Sequence, residues 1–343
     1  TGAVPSISAA ATSPALIARI AMPLAVARHV ARPVAADSRG GGGSGHLSLR
    51  VPASHAAAMR ASLRGTELYF DVEGLGLVAE PGGLRERPVG FAIHGGPGGD
   101  HTGFKPVYSP LTDTMQLVYF DHRGQGRSAK GDPATYTLDN NVEDMEALRR
   151  HLGLGPIVSI GTSYGGMVAM AHAARYPGSV SHLVLVVTAA HAGFADRARA
   201  IVRARGTPEQ IRVSEKLWSG DLRDLPAVKE FYAVMAPFYS RRAALGLPNP
   251  PAFTLHEPAA LHAAFNPDGF LRRFDLRPEL ARITAPTLVI AGRHDWICAP
   301  EFSEEIHRLI PGSTLRIFED SAHSIRLDEP EALLGAIRDF LRG

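Results

Sequence analysis

From residue 65 onward, short apolar runs alternate with longer stretches in which apolar residues recur at helical spacing. The runs at 66–72, 89–93, 116–120, 156–160, 182–187, 286–291 and 314–318 are rich in Val, Ile, Leu, Phe and Tyr and predict strands. A glycine turn at 74–76 predicts a further strand returning at 77–79. The 138–152 stretch brings Val142, Met145, Leu148 and Leu152 onto one helical face. The 166–176 stretch is rich in Ala and Met and stops at Pro177-Gly178. At the end of the chain, 329–341 aligns Leu333, Ile337 and Leu341. Strands alternating with helices imply an α/β architecture, a mainly parallel, doubly wound sheet.

Two regions depart from this rhythm. Residues 188–282 contain no buried strand pattern, and their helical stretches are separated by breaks at Gly206, Gly220, Pro237, Gly246-Leu247-Pro248 and Pro267. This segment predicts a helical cap inserted into the sheet domain. It holds ten of the chain's 24 aromatic residues, Phe253 among them, more than its own core needs, so its underside is expected to line an apolar pocket. Residues 1–58 are rich in Ala, have no acidic residue before Asp37 and contain the flexible tract Gly40-Gly41-Gly42-Gly43-Ser44-Gly45. They read either as a disordered extension or as a targeting-like segment, with Ala25-Val26-Ala27 resembling a small-residue cleavage site. The expected organisation is an extension at 1–58, a core at 59–187 and 283–343, and a cap at 188–282.

Composition narrows the function by exclusion. In 343 residues, 45% are hydrophobic and 20% charged, as in an ordinary globular enzyme. A net charge of +2 with scattered Lys and Arg argues against nucleic acid. No apolar run reaches the roughly 18 residues of a membrane span. The single cysteine, Cys298, excludes an intrachain disulfide and fits a reducing, cytoplasmic setting. The expected partner is a small-molecule substrate.

The chemistry centres on Gly161-Thr162-Ser163-Tyr164-Gly165, where a strand meets a helix. Gly-x-Ser-x-Gly at such a junction is a nucleophile elbow, whose turn is so tight that side chains two residues either side of the serine would collide. A serine hydroxyl needs a base, and the base needs an orienting acid. Asp295 and His323 follow in the order this topology requires, each just past the end of a predicted strand. Asp320 and Asp328 lie too near His323 to come from a separate strand end. The oxyanion would need backbone donors. The N–H of Tyr164 is one candidate. Gly96 is the other, favoured over Gly95 because Pro97 lacks an N–H and can fix the turn after it. His94, Gly95, Pro97 and Gly98 are read as the supporting loop, with His94 and Asp121 bracing rather than reacting. Gly124-Gln125-Gly126-Arg127-Ser128-Ala129 mimics a dinucleotide fingerprint, but no helix opens after it; no metal-ligand spacing is present either.

With His94-Gly95-Gly96-Pro97-Gly98, Asp121-His122-Arg123-Gly124-Gln125-Gly126-Arg127-Ser128 and the elbow, the chain resembles the α/β-hydrolase superfamily. Within it, residues 62–343 look like the proline iminopeptidase branch, including the tricorn-interacting aminopeptidase. The resemblance implies an α/β-hydrolase fold with a helical cap over a Ser-Asp-His triad, cleavage of amides or esters, and no cofactor. Gly161-Thr162-Ser163-Tyr164-Gly165 is nearer the tricorn-associated elbow than the Gly-Gly-Ser-Trp-Gly of many proline iminopeptidases. The branch also holds a substrate amine with cap glutamates. Glu215, Glu230, Glu257 and Asp268 are the candidate acids here, though each reads more readily as a surface charge, and Trp218 and Phe265 are candidate apolar contacts. The leading expectation is a small amide or peptide substrate. An ester or lactone comes second, and a non-catalytic small-molecule receptor third.

Overall fold

A computed structural model describes residues 59–248 and 254–343. The readings made for 1–58, and Phe253 of the cap, lie outside the described residues. The described residues begin with β1 (Met59–Leu63) and β2 (Thr66–Glu73), joined by Arg64-Gly65. Both linking residues have positive φ, 46° and 72°, as a two-residue hairpin turn demands. The strand pattern did not anticipate β1. The return expected at 77–79 is β3 (Leu77–Glu80), which pairs antiparallel with β4 (Gly83–Glu86) in a separate two-stranded sheet. All four residues of β4 are exposed, so the segment carries no apolar signal.

The main sheet adds β5 (Val89–Ile93), β6 (Gln116–Phe120), β7 (Ile157–Thr162), β8 (Val180–Val186), β9 (Thr287–Gly292) and β10 (Thr314–Phe318). Its order is β1-β2-β6-β5-β7-β8-β9-β10. β2 pairs antiparallel with β6, and every pairing from β6 to β10 is parallel. Every residue of β5, β7 and β9 is buried, as expected of parallel strands covered on both faces.

Among the described residues, the helices of eight residues or more are α1 (Leu138–His151), α2 (Tyr164–Arg175), α3 (Phe194–Arg205), α4 (Pro208–Ser219), α5 (Leu225–Tyr239), α6 (Pro258–Phe265), α7 (Pro300–Leu309) and α8 (Pro330–Arg342). Their ends follow local chemistry. Thr137 caps α1 by accepting from the Asn140 N–H, and Thr207 and Gln210 close a capping box on α4, which Gly220 ends in the left-handed region. Pro237, expected to break the insert, instead sits in the last turn of α5, where it removes a hydrogen bond without ending the helix. Leu333 and Ile337 of α8 are buried against Ile160, Val184, Leu288 and Ile290 of the sheet. Among the described residues, four helices of eight residues or more, α3 to α6, therefore occupy the interval between β8 and β9, two strands that are neighbours in the sheet.

Candidate active site

Ser163 sits between β7 and α2 with φ 55° and ψ −120°, a strained conformation for a residue with a Cβ. The surroundings hold it there. Its N–H donates to the Val186 carbonyl at 2.8 Å, and the Ser163 carbonyl accepts from the Thr188 hydroxyl at 2.8 Å. A Cβ on Gly161 would overlap the Gly165 carbonyl oxygen, and one on Gly165 would overlap that of Ile93. The obstruction is backbone in both cases, so it cannot rotate aside. Gly165→Ala is therefore expected to destabilise the fold by about 2–4 kcal/mol, in the range of other overpacking and backbone-strain effects. Urea denaturation would read this as a lower midpoint at unchanged slope.

His323 follows β10 and Asp295 follows β9. His323 Nδ1 lies 2.8 Å from Asp295 Oδ2, and His323 Nε2 lies 3.0 Å from Ser163 Oγ. A carboxylate only accepts, so Nδ1 carries the hydrogen and Nε2 is left to accept from the serine hydroxyl. Asp295 is itself fixed: its Oδ1 accepts from the Ile297 N–H at 2.9 Å and the Cys298 N–H at 3.0 Å. The edge of the Tyr239 ring packs on the imidazole with centroids 5.7 Å apart. Three side chains separated by as much as 160 positions thus form one hydrogen-bonded chain.

The glycine loop after β5 approaches this chain from the other side. A Cβ on Gly95 would stand 3.1 Å from the Ser163 Cβ, and Gly96 has φ 124°, which favours glycine. The Gly98 N–H donates to Gln125 Oε1 at 2.7 Å, so that amide is engaged by the 121–128 segment. Gln125 and its neighbours therefore form a brace, with no helix opening after them. His94 is fully buried; its Nδ1–H donates to the Gly95 carbonyl at 2.8 Å, and its Nε2 accepts from the His122 N–H at 3.1 Å. Burial pulls its pKa below the ordinary value, which keeps the ring neutral in this bracing role. Asp121 accepts from the His101 N–H, the His101 ring and the Arg127 N–H. Burial pushes its pKa up, but these donors outweigh it and bring the carboxyl down to about 2. The Tyr164 N–H is the first amide of α2 and has no partner within its helix, while its side chain is buried with its hydroxyl accepting from Asn141 Nδ2 at 2.6 Å.

Ser163, His323, Gly95 and Gly96 open onto a cavity of about 330 Å³. Phe104, Leu217, Phe231, Tyr232, Tyr239 and Phe265 supply most of its apolar wall.

Residues 91–330 match the family model of the alpha/beta hydrolase fold. The chain is an alpha/beta hydrolase. It is 30% identical to a proline iminopeptidase of Pestalotiopsis fici over 80% of this chain and 98% of that one. Among solved structures, a proline iminopeptidase of Mycobacterium smegmatis superposes with a TM-score of 0.65 at 21% identity, over 83% of this chain and 98% of the other. A thermophilic esterase of Thermogutta terrifontis superposes at 0.58 with 27% identity, over 83% and 98%. The protein is thus a proline iminopeptidase-like hydrolase, with esterases among its structural neighbours.

In this hydrolase the expected cap residues part company. Phe265 lines the cavity. Trp218 lies behind that wall, only 3% exposed, with its ring edge-on to Phe265 and Trp296. Glu230 is off the wall, paired with Arg212 at 3.1 Å and Lys216 at 2.6 Å. Asp268 is 90% exposed and paired with Arg273. Both acids satisfy basic neighbours on the outside of the insert, so the reading of them as substrate contacts is corrected to surface ion pairs. Glu215 likewise pairs with Arg199 and Arg203, and Glu257 with Lys130. The hydrolase lines its cavity instead with Asp100, His256 and Arg326, none of which was a candidate substrate contact in the sequence. Asp100 directly follows the glycine loop and Arg326 stands three residues past His323, so adjacency to the motifs was the available signal.

Proposed function

We propose that the hydrolase cleaves a small amide or peptide with an N-terminal proline or similar apolar residue, by acyl transfer through Ser163. The observation that carries this reading is the continuous Ser163–His323–Asp295 hydrogen-bonded chain. His323 Nε2 takes the hydroxyl proton as Ser163 Oγ attacks the carbonyl carbon, and Asp295 stabilises the imidazolium that forms. The tetrahedral oxyanion is held by the N–H groups of Tyr164 and Gly96. Collapse expels the amine, which leaves with the proton from His323. Water then attacks the acyl-enzyme with His323 as base, and Ser163 recovers its proton. The serine proton moves between groups already within hydrogen-bond reach, and acyl transfer by this route requires no cofactor.

The choice of substrate rests on the similarity to enzymes named proline iminopeptidase and on a short, aromatic-walled cavity suited to one apolar residue. A second reading, hydrolysis of a carboxylic ester or lactone, is favoured by the commitment of Asp100. That carboxylate lines the cavity but already accepts from Thr102 Oγ1 at 2.7 Å and Arg127 Nη1 at 3.2 Å. It is therefore a poor counterion for a substrate ammonium. Proline-β-naphthylamide, its N-acetyl derivative and a matched proline ester, compared on one preparation, separate the two. The expected result is a strong preference for the free amine. Indifference to acetylation, with the ester faster than its intrinsic reactivity explains, would transfer the assignment to the esterase reading. Binding without turnover across a broad ester panel would indicate a receptor.

A further inference from the structure

Arg326 lines the same cavity as Ser163 and His323. Its Nε donates to the Gly103 carbonyl at 3.2 Å and its Nη1 reaches Ser324 Oγ at a long 3.5 Å. The Phe104 ring lies under the guanidinium, 4.8 Å from Cζ to the ring centroid. Among the described residues, no carboxylate comes within ion-pair distance of it. The nearest acid in sequence, Asp328, is spent elsewhere: it accepts from the Ser240 hydroxyl and from the N–H groups of Arg241, Arg242 and Ala322. Asp100, the acid on the cavity wall, is likewise engaged by Thr102 and Arg127. Burial pulls the Arg326 pKa below its ordinary value, with only partial compensation from Tyr108, Tyr232 and Asp328. A largely desolvated guanidinium without a counter-charge is an unfavourable arrangement that a bound anion would relieve.

We propose that Arg326 selects substrates bearing a free carboxylate, which pairs with its guanidinium while the scissile carbonyl sits at Ser163. The planar fork of the guanidinium matches a carboxylate with two parallel N–H···O bonds, and Phe104 fixes the plane in which that fork lies. This rests on the hydrolase reading of the site and adds the chemical class of its substrate. If the scissile bond is an amide, the substrate is a short peptide with a free C-terminus rather than a capped amide. If it is an ester, the substrate is a half-ester of a dicarboxylic acid.

The test uses two matched pairs that differ only in the charge at issue: prolylglycine against prolylglycinamide, and monomethyl succinate against methyl succinamate. Wild-type kcat/KM is expected to favour the acid over its neutral partner by about tenfold to a hundredfold, the range of a charge-assisted hydrogen-bonded pair. In Arg326→Met, which keeps an unbranched side chain over Phe104, that ratio is expected to fall to about one. Arg326→Lys should retain part of it. Circular dichroism melts establish that the variants are folded. Calorimetric titration of all four compounds into the Ser163→Ala protein repeats the comparison without turnover. Labelling of wild-type protein by a fluorophosphonate reads the hydrolase assignment separately, so its failure is distinguishable from failure of the carboxylate preference. Equal kcat/KM and equal affinity within both pairs would overturn the proposal. So would a preference that persists undiminished in folded Arg326→Met.

Discussion

Ser163→Ala will abolish covalent labelling by a fluorophosphonate and reduce kcat by about 10⁴- to 10⁶-fold on any substrate the wild-type protein turns over. The size follows from what the hydroxyl does. In the proposed mechanism it is the atom that bonds to the acyl carbon, and removing it leaves His323 Nε2 with no group to deprotonate. Whatever rate survives would come from oxyanion donors and binding alone, with water attacking directly. The fold should be unaffected or gain slightly, because a methyl fits where Ser163 Cβ already stands and the backbone bonds to Val186 and Thr188 do not involve Oγ. Steady-state kinetics beside a thermal melt checks both halves. Full activity in the variant would remove Ser163 from the mechanism, and a collapsed melt would move the effect from chemistry to folding.

Asp295→Asn is expected to lower kcat by roughly 10³- to 10⁴-fold while leaving KM within a few-fold. The carboxylate oxygen that accepts from His323 Nδ1 would become part of an amide, and two orientations then compete. With the amide oxygen toward Oδ1's present position, the Ile297 and Cys298 amides stay satisfied, and the NH₂ group faces His323. That donor forces Nδ1 to accept, which shifts the ring hydrogen to Nε2 and points it at Ser163. The base is then blocked at the atom where it must receive a proton. With the amide reversed, two buried backbone donors lose their acceptor, at a cost of about 1–3 kcal/mol each. The first orientation is therefore favoured, and the loss should appear in kcat rather than in stability. The check is a pre-steady-state burst measurement with a p-nitrophenyl ester, in which acylation itself should slow. Wild-type acylation with slowed deacylation only would contradict this account of Asp295.

Much of this was readable in the chain because the signals are local. Gly161 and Gly165 flank Ser163 at fixed offsets, and the backbone overlap that excludes a Cβ there belongs to the turn itself. The buried strands were legible for the same reason: β5, β7 and β9 are short apolar runs whose residues are all interior. β4 was not, since an exposed hairpin strand needs no apolar residues. Pro237 misled because its effect depends on how many turns remain in the helix, and only the folded α5 defines that.

The sequence by itself determined the alpha/beta sheet, the elbow serine and the order in which Asp295 and His323 follow it. Those features depend on residue type and spacing along one stretch of chain. Only the tertiary structure decided which charges face the cavity. Glu230 and Asp268 read as candidate ligands until Arg212, Lys216 and Arg273 are seen to neutralise them, and Arg326 drew no notice until Asp328 and Asp100 are found committed elsewhere. A charged side chain acts according to what lies within a few ångströms of it, and those neighbours come from elements far apart in the chain. Pairing of that kind has no period and no motif, so it exists only once the fold has formed.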